Sequence, residues 1–284
     1  MPVRSLALLL ILAALWGGSF VFMRVAVPAL GPVPLAFVRV ALATTALLAI
    51  AFAQRRVPDL RTRWRSFAVV GGVNSALPFV LFCFAEQTIT ASAGAILNAT
   101  APFFGAIAAA IWLGEALTWR KVTGMILGIV GVAVLVGWHP EPVTSDTALA
   151  VAACLAAAVC YGLGSTYTKR KLAGVPPFAI ACGSQLAATV ALAPAVPFAT
   201  VPGPVTTLVI GNVVALAVAS TAIAYLIFFK LIADVGPTRA LTVTFLIPLF
   251  GVLWGFVFLD EALAANMVGG GVLIVAGTAL ALRR

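Results

Sequence analysis

Three stretches of this chain repeat one arrangement of a polar side chain and a proline: Asn74-x-x-x-Pro78, Asn98-x-x-x-Pro102 and Thr244-x-x-x-Pro248. Proline has no N–H for the carbonyl four residues earlier, and its ring pushes that carbonyl aside. In each stretch the residue with the hydrogen-bonding side chain is thus also the one whose carbonyl is released. Inside a membrane such a pair of groups is tolerated where it lines a cavity or is buried in protein. It suits the polar end of a small ligand, with Pro78, Pro102 and Pro248 as candidate hinges. The alternative is a capped kink or a bond to a neighbouring helix, worth about 0.6 to 2 kcal/mol. Ser220 lies at similar depth and joins the candidate binding set. Trp16 and Tyr161 each stand beside a glycine and carry an N–H or O–H that needs a partner, which suits a ligand wall. Phe79 and Tyr225 extend the aromatic set.

The charged residues exclude other chemistry. Glu86, Glu115, Asp260 and Glu261 fall at the ends of apolar runs, and Asp59, Glu141, Asp146 and Asp234 fall between them. A mid-helix carboxylate pair for hydrolysis is absent, as is a phosphate-binding G-x-x-x-x-G-K-[ST] loop. Cys83, Cys154, Cys160 and Cys182 have no C-x-x-C spacing, and His139 is the single histidine, so neither a metal nor a cofactor is expected. An enzyme is not indicated. Arg39 lies about two turns inside an apolar run, close enough to snorkel to the outer interface; contact with an anionic substrate is the alternative. Glu86 is expected to be hydrated at the outer end of its helix. With no other acid at depth, that implies transport down the substrate's own gradient without obligatory proton exchange.

The elements that must hold these residues are membrane helices. Hydrophobic residues make up 63% of the 284 and charged residues 9%, against about a quarter charged in soluble domains. The apolar runs are continuous, not alternating, which argues against a β-barrel. About 20 apolar residues span a bilayer. That rule gives ten helices, at roughly 5–27, 34–53, 67–86, 93–113, 119–136, 147–169, 176–199, 206–232, 237–259 and 263–282. The net charge of +9 comes from basic loops, not from a nucleic-acid surface. With the N-terminus in the cytoplasm, fifteen Lys and Arg fall on that side and two, Arg24 and Arg39, on the other. Both termini are therefore expected in the cytoplasm.

The chain repeats itself. Pro102–Val136 overlays Pro248–Leu282 without a gap and with twelve identities in 35 positions, Glu115/Glu261 and Gly131/Gly277 among them; composition alone gives roughly three or four. Trp16-Gly17 matches Tyr161-Gly162, and Phe82 matches Phe228. Residues 1–138 form one five-helix repeat and 147–284 the other, joined by a periplasmic linker at 139–146. Five helices is an odd number, so the second repeat enters the membrane inverted, as in secondary transporters.

Trp16-Gly17-Gly18 with Arg24 ending helix 1, Pro102…Leu113-Gly114-Glu115, and the counterpart Pro248…Leu259-Asp260-Glu261 resemble the EamA-type drug/metabolite transporter superfamily. Within it the chain looks most like the bacterial YddG-type exporters of aromatic amino acids. The resemblance implies an all-α basket of ten helices around a central cavity, monomeric, in the bacterial inner membrane. The expected function is alternating-access export of small amphipathic metabolites, above all aromatic or bulky apolar amino acids. Export of hydrophobic drugs or other metabolites is the alternative; a non-transporting scaffold fits the repeat poorly.

Overall fold

A computed structural model describes residues 3–55, 59–137, 144–235 and 243–282. Among them every regular element is helical. In chain order these are α1 (Val3–Leu30), α2 (Pro32–Ala53), α3 (Trp64–Gly71), α4 (Leu77–Ala85), α5 (Ala91–Asn98), α6 (Ala101–Leu113) and α7 (Trp119–Gly137). The second half holds α8 (Ser145–Lys171), α9 (Pro177–Leu192), α10 (Thr207–Ala217), α11 (Ala224–Val235), α12 (Val243–Leu259) and α13 (Ala265–Leu282). Among the described residues, seven stretches are long and apolar enough to cross a membrane: Val3–Leu30, Pro32–Ala53, Trp64–Ala85, Ala91–Leu113, Ser145–Lys171, Pro177–Phe198 and Thr207–Phe228. Each matches an apolar run of the sequence to within a few residues. His139 and most of the 139–146 linker lie outside the described residues, as does the start of the ninth run, 237–242.

Local sequence explains the helix starts. The hydroxyl oxygens of Thr90, Thr144 and Thr206 accept from the N–H groups of Ala93, Thr147 and Val209, so α5, α8 and α10 open on threonine caps. Proline in the first turn opens α2 and α9, where a missing N–H costs nothing. Gly31, at φ 75°, makes the tight turn from α1 into α2.

The three Asn/Thr-to-Pro stretches fold in three different ways. At Pro102 the helix breaks: α5 ends at Asn98 and α6 begins at Ala101, with Ala99 and Thr100 bonding back three residues. At Pro78 it widens, with a π-helical turn over Gly72–Ala76 between α3 and α4. At Pro248 it continues, since α12 runs unbroken from Val243 to Leu259. A second π-helical turn, Val218–Ile223, joins α10 to α11 without any proline. The offset that carries Pro102 to Pro248 carries Gly72–Ala76 onto this turn. The wide turn therefore belongs to the repeat, and proline is one of the ways to accommodate it.

Packing relies on small residues, because lipid supplies no hydrophobic drive between helices. α1 lies along α12 and α8 along α6; α2 and α3 pack on α9, and α7 on α13. A Cβ on Gly131 would stand 2.8 Å from the Gly270 carbonyl, and one on Gly251 would collide with Ala95. These glycine faces are thus filled from within the chain. Ile111, Ile129, Leu208, Leu249, Phe258 and Val272 point outward, as a lipid-facing surface requires.

Candidate functional site

The site is a set of side-chain pairs, each made twice. Gly17 of α1 meets α12 so closely that a Cβ would stand 2.7 Å from Phe250 Cβ and 2.8 Å from the Gly251 nitrogen. Gly162 of α8 meets α6 in the same way, 2.5 Å from the Gly105 nitrogen and 2.8 Å from Phe104 Cβ. Beside these crossings the Trp16 ring tilts against Phe228 at 5.3 Å, and its counterpart Tyr161 stacks on Phe82 at 6.1 Å. Tyr225 meets the Trp16 edge at 6.3 Å, and Phe20 meets Phe82 at 5.5 Å. The expected aromatic residues thus gather where the two halves touch.

The polar pairs follow the same rule. Arg39 Nε donates to Thr221 Oγ1 at 3.1 Å, and Gln185 Nε2 donates to Ser75 Oγ at 3.0 Å. Ser75 and Thr221 both belong to the π-helical turns, and the Tyr225 hydroxyl lies in hydrogen-bond contact with Ser75 and Gln185. Gln185 and Ser75 are not among the site residues expected from the sequence; the repeat offset relates them to Arg39 and Thr221.

Arg39 does not snorkel. Its side chain is buried, 5% exposed, with the guanidinium carbon 3.6 Å above the centre of the Phe79 ring and Nη1 3.4 Å from Met23 Sδ. No carboxylate among the described residues forms an ion pair with it. Taking such a cation out of water costs several kcal/mol. The ring contact offsets about 2 kcal/mol, and a charged hydrogen bond about 1.5 to 3 kcal/mol. The account closes only narrowly, and an anion would close it with a margin.

The other expected residues divide. Asn98, at the break between α5 and α6, has a buried Oδ1 with no hydrogen-bond partner among the described residues, and so does Gln185 through Oε1. These are acceptors open to a donor. Asn74 stands on the first π-helical turn against Gly164, where a Cβ would lie 2.9 Å from its Oδ1. Ser220 donates to the Leu15 carbonyl at 2.6 Å and so ties the second π-helical turn to α1. Thr244 lies in the first turn of α12, one turn before Pro248.

Glu86 departs most from expectation. It is fully buried, and neither carboxylate oxygen has a hydrogen-bond partner among the described residues. The Arg24 guanidinium binds the backbone carbonyl of Glu86 instead. Glu261, on the other half, has its carboxylate held at the N-terminus of α5 by the Ala91 and Ser92 N–H groups and the Ser92 hydroxyl. Its repeat partner Glu115 is an ordinary exposed ion pair, 2.8 Å from Lys169 and 3.7 Å from Lys121.

Comparison with known proteins agrees with this twofold construction. A probable terminal-alkyne amino-acid exporter of Streptantibioticus cattleyicolor is 30% identical over 279 residues, covering 95% of this chain and 90% of the exporter. An uncharacterized transporter of Archaeoglobus fulgidus is 25% identical over 95% of both chains. One solved crystal structure superposes with a TM-score of 0.70 at 20% identity, over 99% of this chain and 97% of the other, which extends the likeness of fold to the whole length. The EamA-like transporter family matches twice, at residues 4–137 and 148–283. With a family match to each half and apolar helices throughout, the chain belongs to the EamA-like transporter family and is a membrane transporter.

Proposed function

We propose that the protein exports amino acids with aromatic or bulky apolar side chains across the bacterial inner membrane. The observation that carries this reading is Arg39: a buried guanidinium, unpaired with any described carboxylate, lying on Phe79 with Tyr225 and Tyr161 close by. A substrate carboxylate would supply the missing anion. The open acceptors on Asn98 and Gln185 offer partners to N–H or O–H donors of a substrate, and the Trp16 and Tyr161 rings suit an apolar side chain. The amino-acid exporter among the relatives supports the same class. A drug exporter built on apolar walls alone would have no use for a buried cation that is expensive to hold.

With α7, α12 and α13 counted as three further crossings, the spans make ten, five in each half. An odd count inverts the second half, and the paired contacts support such an inverted repeat around a shared cavity. The halves would expose that cavity alternately, bending at the break before Pro102 and at the two π-helical turns. Both termini would be cytoplasmic, and a monomer would suffice because each half completes the other's site.

The test is transport into proteoliposomes. Labelled phenylalanine should move, and phenethylamine, which lacks the carboxylate, should not. Arg39→Met should cut phenylalanine transport by at least tenfold, and Arg39→Lys should restore part of it. Equal movement of phenethylamine and phenylalanine, or of cationic dyes alone, would refute the amino-acid reading.

A further inference from the structure

Glu86 holds a carboxyl group in a setting that a purely structural residue rarely occupies. It follows α4, in the short connection between the spans Trp64–Ala85 and Ala91–Leu113. Phe82 lies four residues earlier, on the same helical face, so the carboxyl sits one turn beyond the layer where Phe82 meets Phe20 and Tyr161. From the other side Gly94 makes room for it: a Cβ there would stand 3.4 Å from Glu86 Oε1 and 3.1 Å from the Phe20 ring. The group is thus enclosed between α1, α4 and α5, directly over the aromatic layer, and among the described residues it makes no hydrogen bond through either oxygen.

A structural acid at this position would be expected to bond the nearest cation. Arg24, on α1, is that cation, yet it takes the backbone carbonyl and leaves the carboxyl free. The other groups with an electrostatic reach to Glu86 are Arg39 on α2, Glu261 after α12, Cys154 on α8 and Cys83 on its own helix. Burial without a partner pushes the carboxyl well above the usual range, Arg24 opposes, Glu261 reinforces, and Arg39 opposes more weakly.

We propose that Glu86 is the proton-binding site of this transporter, and that its proton is exchanged against the ammonium group of an amino-acid substrate. This rests on the amino-acid reading above. Glu86 carries the proton as a carboxylic acid in the enclosed state. When the ammonium group of the substrate reaches the aromatic layer, the O–H bond breaks, the proton leaves to water, and the carboxylate faces the ammonium. On the opposite side of the membrane the substrate departs and a proton returns. One cation occupies one carboxylate at a time, and that competition makes the movement an antiport.

The experiment uses the full chain in proteoliposomes, with membrane potential clamped at zero and a gradient of one pH unit. Labelled phenylalanine should accumulate about tenfold against one exchanged proton. In Glu86→Gln the steady-state ratio should be one whatever the rate, since a ratio reports coupling and not speed. A tenfold ratio in Glu86→Gln, or a ratio of one in the wild type, overturns the proposal. An inactive Glu86→Gln protein is decided by infrared spectroscopy. The purified wild type at pH 7 should show a protonated-carboxyl band that Glu86→Gln lacks, and added phenylalanine should make that band disappear at lower pH. Identical spectra overturn the proposal. If no amino acid moves at all, the amino-acid reading fails, while the band still reports on Glu86.

Discussion

Arg39 donates through Nε to Thr221 Oγ1 across 3.1 Å, and this bond joins the first half of the chain to the second. Its counterpart, Gln185 to Ser75, joins the second half back to the first. One half supplies a cation and the other a neutral amide at matching positions, so a site that is nearly symmetric in backbone is asymmetric in charge. On the proposed amino-acid reading, that asymmetry would orient a zwitterionic ligand with its carboxylate at the Arg39 end.

The glycine crossings are expected to respond alike. Gly17→Ala and Gly162→Ala each insert a Cβ within 2.8 Å of neighbouring backbone, and overpacking of this kind costs about 1 to 3 kcal/mol. Both should lower the thermal midpoint in detergent by several degrees. Gly211→Ala, where a Cβ would meet nothing within 4 Å among the described residues, serves as the control and should not lower it. A fall in only one of the two would mean that the crossings are not equivalent.

Trp16→Ala should shift substrate preference, reducing transport of aromatic amino acids more than that of alanine. Asn98→Leu should reduce transport of both while leaving a folded, inserted protein, because its Oδ1 makes no hydrogen bond among the described residues. Transport assays beside a gel-filtration profile check both. Unchanged selectivity in Trp16→Ala would make that ring a packing residue.

Glu115 should affect stability only weakly and only above acid pH. The hydrogen bond from Lys169 holds its carboxyl below the usual range. A depressed acid contributes stability that is present above its unfolded value of about 4.3 and lost as pH falls through the lowered folded value. The group is 40% exposed, so the pair is worth about 0.2 to 1 kcal/mol. Glu115→Gln should therefore lower the thermal midpoint slightly at pH 7, less so in high salt, and not at all at pH 2.

Membrane orientation is checked with single cysteines in a Cys-free background. A cysteine in the 54–65 loop should resist an impermeant thiol reagent in intact cells, and one at Asp146 should react. The reverse pattern would overturn the cytoplasmic termini.

By itself the sequence determined that this is a helical membrane protein with an internal repeat, and it located the seven long spans to within a few residues. The reason is that lipid leaves the backbone no partner but itself, so apolar length reads directly as helix. It also singled out Trp16, Tyr161 and Asn98 as candidates, because aromatic residues beside glycine and a polar residue ahead of proline are local patterns. Tertiary structure alone decided the rest. Identical Asn/Thr-to-Pro spacings became a break, a π-helical turn and an unbroken helix, because neighbouring helices choose how a released carbonyl is accommodated. Arg39 near a helix end could have reached water or Phe79, and Glu86 could have been hydrated or enclosed. Burial depends on which helices pass, and Gly94, Phe20 and Arg24 close around Glu86 only once α1, α4 and α5 are packed.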